Sequence, residues 1–399
     1  MILAILQAAT LVVAPNSPVS TIDQALRSAP AGATIIVKSG VYHEHSLRVE
    51  RPLTLIGEGR PRVDGDGLGS IFILAAPNIL IRGFELTNTG RNAVDDRAGI
   101  KAEAADSCVI EDNRVVGTFF GIYLARSTGC RVTGNFVAGT NLSEALSGNA
   151  IHLWNSREAI ITNNEVSNHR DGIYLEFAKG VRISDNSSHG NLRYGLHFMF
   201  SDSAQYHNNR FSNNGAGVAV MYTSHVSMTE NSFVNNRGPA AFGLLLKDIR
   251  DSQIERNRFI DNSVGLYLEG SNRVSVRNNQ LEKNGWAVKL MANSESNEFS
   301  GNTFLTNSFD VSTNGRQHTS RFDGNYWDQY RGYDLNADGI GDVPHRPVRL
   351  FAYLVAKQDA ILVLQRSIFV DLLDAAERAL PILSPDALVD QRPRLLVRQ

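Results

Sequence analysis

The chain has 399 residues, with 39 Lys and Arg against 41 Asp and Glu, a net charge of −2 and a sequence pI near 6.6. Basic residues are scattered, with no run before the last few positions, which argues against a nucleic-acid polyanion as partner. No window holds the ~18–20 continuous apolar residues of a membrane span.

The chain opens on MILAILQAATLVVAP, an apolar run with small residues that resembles the end of a secretory signal but lacks its basic start. Residues 1–20 are read as the remnant of an export signal together with a first strand. Next, GVYHEHSL at 40–47 sets His43 and His45 on one face of an early strand, with Glu44 opposite. Two histidines at i and i+2 make a secondary metal candidate, although a solvated strand face is the commoner explanation.

From residue 21 to 345 the organisation is a repeat. Asn113, Asn135, Asn164, Asn186, Asn209, Asn231, Asn257, Asn279 and Asn302 recur at a spacing in the low twenties, the mark of a solenoid. NLSEALSG at 141–148 and RGPA at 237–240 are insertions that bulge from loops. Each period holds two short segments with period-2 alternation, one before the asparagine and one reading G-φ-x-φ-x, such as GIYLA at 121 and GLHFM at 195. Short strands, polar turns and no helical period predict an all-β chain, a parallel β-helix with asparagine ladders at its turns.

Within G-φ-x-φ-x the φ positions point inward, so the x positions form two outward columns. One runs Tyr123, His152, Tyr174, His197, Ala219, Leu245, Tyr267, Lys289; the other runs Ala125, Trp154, Glu176, Met199, Met221, Lys247, Glu269, Met291. Tyr, His, Trp and Met on a sheet face suggest a contact or ligand surface. His197, Met199 and Met221 offer an imidazole and two thioethers within one coil spacing, a set suited to Cu(I). On spacing alone the blander reading, apolar docking surface, has more weight. Met228 stands in a column of Ile and Val and is core, while His207 is surface. Cys108 and Cys130 also stack, but adjacent in-register parallel strands are poor disulfide geometry, so they read as two buried small residues.

YDLNADGIGD at 333–342 brings Asp334, Asn336, Asp338 and Asp342 around a tight turn. It reads equally as a truncated Ca²⁺ loop and as a polar turn closing the solenoid, since Pro344 and His345 stand near the place of the expected glutamate. Beyond it, 346–399 is a helical docking segment: 350–385 is rich in Leu, Val and Ala, and carries more apolar residues than one stripe on a solenoid would bury. Parallel β-helices also host polysaccharide lyases and epimerases, the alternative reading, but no carboxylate cluster or nucleophile–base pair stands out here.

SGVYHEHSLRVERPLTLIGEG, RYGLHFMFSDS, GVAVMYTSHVSM, FGLLLKDIRDS and FDGNYWDQYRGYDLNADGIGDVPHRPVRLF together closely resemble the NosD family, periplasmic maturation proteins of nitrous oxide reductase. The likeness covers nearly all of the chain. It implies a right-handed β-helix with no enzymatic activity, seated at the inner membrane on an ABC transporter made of an ATPase and a permease, its membrane contact made only through the permease. It further implies a metallochaperone of denitrification that takes copper from a lipoprotein chaperone and delivers it for the copper–sulfide centre of the reductase. That shifts the weight for His197, Met199 and Met221 towards Cu(I) ligands, with Glu176 and His152 as nearby contributors.

Overall fold

A computed structural model describes residues 9–91, 95–140, 143–315, 319–365, 367–380 and 388–395. The apolar start at 1–8 and the stretch 381–387 lie outside the described residues. The chain divides into two compact units, residues 1–205 and 206–399. Both are built as right-handed parallel β-solenoid, the expected fold.

One coil shows how the sequence makes the strands. Val109–Glu111, Arg114–Val116 and Phe120–Ala125 are its three strands, and each pairs in parallel with its counterpart in the next coil. Ile110, Val115, Ile122 and Leu124 are fully buried. Alternation thus sends every second side chain inward, where branched residues fill a narrow core. The corner between the first two strands turns through Asp112 in the left-handed region (φ 49°), a conformation that Asp and Asn tolerate better than most residues.

Asparagines hold that corner in both units. In the first, Asn113, Asn135 and Asn164 each donate their backbone N–H and side-chain amide to the Oδ1 of the next asparagine, at 2.9–3.1 Å, ending on Asn186. In the second the same ladder runs from Asn209 to Asn325. These amides are buried, so each bond also spares a buried polar group the ~1–3 kcal/mol cost of standing unpaired. A second ladder, from Asn214 through Asn236, Asn262 and Asn284 to Asn307, holds another corner of the second unit.

At the start of the first unit, strand Thr10–Val13 pairs with Thr34–Lys38, and helix Ile22–Ser28 buries Ile22, Ala25 and Leu26. Glu44 is turned towards that helix and accepts the backbone N–H groups of Ile22 (2.8 Å) and Asp23 (2.9 Å). Among the described residues of the first insertion is a short 3₁₀ turn, Glu144–Leu146, with Leu146 exposed. In the second insertion, 237–240 is exposed throughout.

Two expectations are corrected. Cys108 and Cys130 are joined by a disulfide, not left as separate small residues. Coil stacking brings their Cα atoms to 4.6 Å, inside the range a disulfide spans, so parallel register does not prevent the bond. The carboxy-terminal stretch is also less separate than its apolar composition suggests. Helix Leu350–Lys357 buries Phe351, Ala352 and Val355 against Val264, Trp286 and Phe309 of the solenoid. The tail at 388–395 returns to the last coil, where Asp390 bridges Phe322 and His345. Among the described residues of this stretch, helix Ile368–Ala379 and the 3₁₀ turn Asp359–Leu364 still hold large apolar side chains in solvent, including Val363, Ile368, Phe369 and Leu372.

Candidate metal site

Within each unit the register aligns most of the predicted outward columns. In the first unit Tyr123 pairs with His152, His152 with Tyr174 and Tyr174 with His197; beside them Ala125, Trp154, Glu176 and Met199 align. In the second unit Ala219, Leu245, Tyr267 and Lys289 align, as do Met221, Lys247 and Glu269. Met221 ends the strand Ala216–Met221, the place Met199 holds on Tyr194–Met199. Met228 is buried and His207 exposed, as expected.

What the sequence does not disclose is that the outward column of the first unit is covered. Tyr123, His152 and His197 are each at most 7 % exposed. Phe119 and Phe120 close one end of the column, and Tyr194 packs on His197 at 4.7 Å. The Tyr174 ring stands edge-on between the two imidazoles, at 4.7 Å from His152 and 4.8 Å from His197. His152 therefore neighbours Tyr174, not His197.

His197 has a distinctive environment. Its Nδ1 lies 3.5 Å from Oδ2 of Asp171, a fully buried carboxylate that Arg193 grips through Nε (3.0 Å) and Nη2 (2.6 Å). Burial alone would raise the Asp171 carboxyl, but hydrogen bonds from His197 and Arg193 outweigh it and hold it below the usual range. The Nε2 of His197 is buried with no hydrogen-bond partner. Two residues on, Met199 is half-buried, and its sulfur accepts the Tyr174 hydroxyl at 3.7 Å. Burial first, then the charges of Glu176 and Asp171, push the Tyr174 phenol up to about 12, so it remains a donor. An unpartnered imidazole nitrogen and a thioether on one face of one strand are soft donors of the kind that take Cu(I).

His152 also has a buried, unpartnered Nε2, while its Nδ1 lies 3.3 Å from the Asn149 amide. Burial pushes it down to about 3, which keeps it neutral. Glu176 sits beside Met199 in register and is half-buried.

The remaining candidates separate. His43 does not act with His45: its Nδ1 bonds Asp66 at 2.8 Å, and His45 bonds the Ser46 hydroxyl at 3.2 Å. His43, Asp64 and Asp66 bring their ligand atoms within 4.8 Å of one another on an exposed edge. In the 333–342 turn the side-chain oxygens serve the loop's own backbone. Asp334 accepts from Asp338 and Gly339, Asn336 from Asp338, Asp338 from Ile340, and Asp342 from Leu335. A cleft of about 750 Å³ in the second unit is lined by Tyr330, Arg331, Tyr333, His345, Arg346 and Arg349, and holds none of the copper candidates.

Sequence reasoning does not single out Asp171 or Arg193, although for Asp171 a signal is present. The position before the repeat's glycine reads Phe120, Asn149, Asp171, Tyr194, Ala216, Phe242, Val264, Trp286, and Asp171 is its single charge. The following Gly172 is required by close approach: a Cβ there would stand 2.5 Å from the Gly195 carbonyl oxygen.

Residues 137–332 match the family described as "Periplasmic copper-binding protein (NosD)". The chain is 29 % identical to a probable ABC transporter binding protein NosD from Pseudomonas aeruginosa, over 86 % of this chain and 84 % of that one. It is 28 % identical to the protein so named from Stutzerimonas stutzeri, over 88 % and 84 %. Among solved structures it is similar to a Yersinia enterocolitica family 28 exopolygalacturonase (TM-score 0.61, 11 % identity, 79 % of this chain and 78 % of that one). It is also similar to the A-module of an Azotobacter vinelandii mannuronan C-5 epimerase (TM-score 0.51, 16 % identity, 75 % and 86 %). At such identities the two enzymes share the fold, and chemistry does not follow from it.

Proposed function

The chain belongs to the NosD family, and we propose that it is a periplasmic copper carrier that works with an ABC transporter to supply copper for the copper–sulfide centre of nitrous oxide reductase. Copper is its cargo and not a resident cofactor. His197 and Met199 carry the ion as Cu(I), and Met221 is assigned to the same task on the sequence register. Glu176 is a nearby contributor. The observation that carries this reading is the buried Nε2 of His197, which has no partner while a thioether lies two residues away on the same face. The imidazole and thioether donors are neutral and suit a monovalent soft ion better than Zn²⁺ or Cu²⁺, so the ion stays exchangeable.

The disulfide supports an oxidising compartment such as the periplasm. No helix among the described residues is long and apolar enough to cross a membrane. We assign the attachment to the transporter's permease, at the inner membrane, to the uncovered face of helix Ile368–Ala379. The copper donor is a lipoprotein chaperone and the acceptor is the reductase. Competition titration of the purified protein with a Cu(I) chelator tests the reading directly. Stoichiometric Cu(I) uptake, followed by transfer to the metal-free reductase, is the expected result; release of unsaturated sugars from alginate or pectin with no copper uptake would favour a carbohydrate enzyme instead.

A further inference from the structure

Resting on the copper reading above, we infer that Asp171 and Tyr174 are positioning residues that preset the two donor atoms of the next coil, Nε2 of His197 and the sulfur of Met199.

Both act from one short segment. The strand Ile173–Glu176 pairs in parallel with Tyr194–Met199, and the register sets Tyr174 against His197 and Glu176 against Met199. Asp171 stands just before that strand and Tyr174 within it. Each reaches one coil onward, to a different donor.

Asp171 fixes which imidazole nitrogen is free. A neutral histidine has one N–H and one bare nitrogen, and the partner of the first decides which is which. Oδ2 of Asp171 faces Nδ1 at 3.5 Å, and no acceptor faces Nε2 among the described residues. Arg193 Nη2 also lies 3.4 Å from Nδ1, but that guanidinium is engaged at 2.6 Å by the carboxylate. The carboxylate is the stronger partner for Nδ1, so the proton resides there and Nε2 keeps its lone pair. At 3.5 Å the contact is long. A cation on Nε2 draws electrons from the ring and makes Nδ1–H a stronger donor, which tightens the contact. Carboxylate-to-histidine support of this kind tunes metal sites generally.

Tyr174 does the corresponding work for sulfur. Its hydroxyl donates to the Met199 thioether at 3.7 Å, and its ring is clamped between two imidazoles. A methionine side chain has three rotatable bonds, so one fixed contact at the sulfur removes much of its freedom before the ion arrives. The second sulfur lone pair is left for the ion.

The full-length, metal-free protein labelled with ¹⁵N gives the deciding measurement, the imidazole nitrogen shifts of His197, assigned by their loss in His197→Gln. The expected wild-type state is Nδ1–H. Asp171→Asn should mix the tautomers and weaken Cu(I) binding by about 10–100-fold. Tyr174→Phe should leave the tautomer alone and weaken binding about threefold, the worth of one neutral hydrogen bond. If Asp171→Asn is poorly folded by circular dichroism, Asp171→Asn with Arg193→Gln removes the ion pair as a neutral unit. An Nε2–H wild type overturns the inference with no substitution needed, as does an Asp171→Asn protein with unchanged tautomer and affinity. Retained Cu(I) affinity in His197→Ala would instead overturn the copper reading on which the inference rests.

Discussion

Cys108 and Cys130, 22 residues apart, are bonded across neighbouring coils with their Cα atoms 4.6 Å from each other. The bond closes one full coil on itself. Crosslinking a loop of this length restricts the unfolded chain by about 3 kcal/mol. Replacing both cysteines by alanine, which the equivalent column carries at Ala159, should lower the urea midpoint of the first unit accordingly. Reductant should lower the wild type to the same level and leave the variant unmoved.

His197→Ala and Met199→Leu should each weaken Cu(I) binding by at least about tenfold, with the strand circular-dichroism signal kept, since each removes one donor from a small set. Met221→Leu decides whether the sequence register was a sufficient guide to the third ligand: an unchanged affinity removes it from the set. His152→Ala should leave the affinity where it was, because Tyr174 stands between that imidazole and His197.

Asp310 should make stability depend on pH. Burial, followed by the nearby Asp328 carboxylate, pushes it up to about 7. The unfolded chain releases this proton near pH 4, so the folded protein binds more protons across about pH 4–7, and stability falls as pH rises through that window. Buried histidines act in the opposite sense. Burial lowers His152 to about 3 and His169 and His345 to about 4, so their contribution is present above about pH 6.5 and is lost as pH falls. The clean observable is the difference between Asp310→Asn and wild type. It should grow in favour of the variant from pH 5 to 8 by at least about 1 kcal/mol. A flat difference would show that Asp310 is ionised in the folded protein throughout.

Phe369→Ser and Leu372→Ser lie on the uncovered side of helix Ile368–Ala379. Each should change stability by no more than about 0.5 kcal/mol, as exposed substitutions do. Together they should abolish co-purification with the transporter. Undiminished recovery of the complex would place the attachment elsewhere.

The sequence disclosed whatever repeats. The asparagine spacing located one corner of each coil from Asn113 onward, and the alternation around it told Tyr123, His152, Tyr174 and His197 apart from Ile122, Leu153 and Leu175. The second ladder was equally legible: Asn214, Asn236, Asn262, Asn284 and Asn307 each follow a first-ladder asparagine by five residues. What covers the outer face was not legible, because the covering groups do not recur. Phe119, Phe120, Arg193 and Tyr194 come from single corners, and a periodic reading averages such residues away. The disulfide was missed for a geometric reason, since the distance that matters is the coil spacing and not the strand direction.

The last rung of the long ladder has a consequence for the molecule among its copies. Every asparagine in the row both accepts from one neighbour and donates to the next, so the row has no chemical reason to stop, and the end of a solenoid is a ready template for another molecule's coil. Asp390 takes the place of the missing asparagine. It accepts the backbone N–H and side-chain amide of Asn325, the N–H of Gly324 and the indole N–H of Trp327. A carboxylate has no donor to pass on. The row therefore ends on a buried acceptor, and this end of the ladder presents no side-chain amide donor to the coil of another molecule.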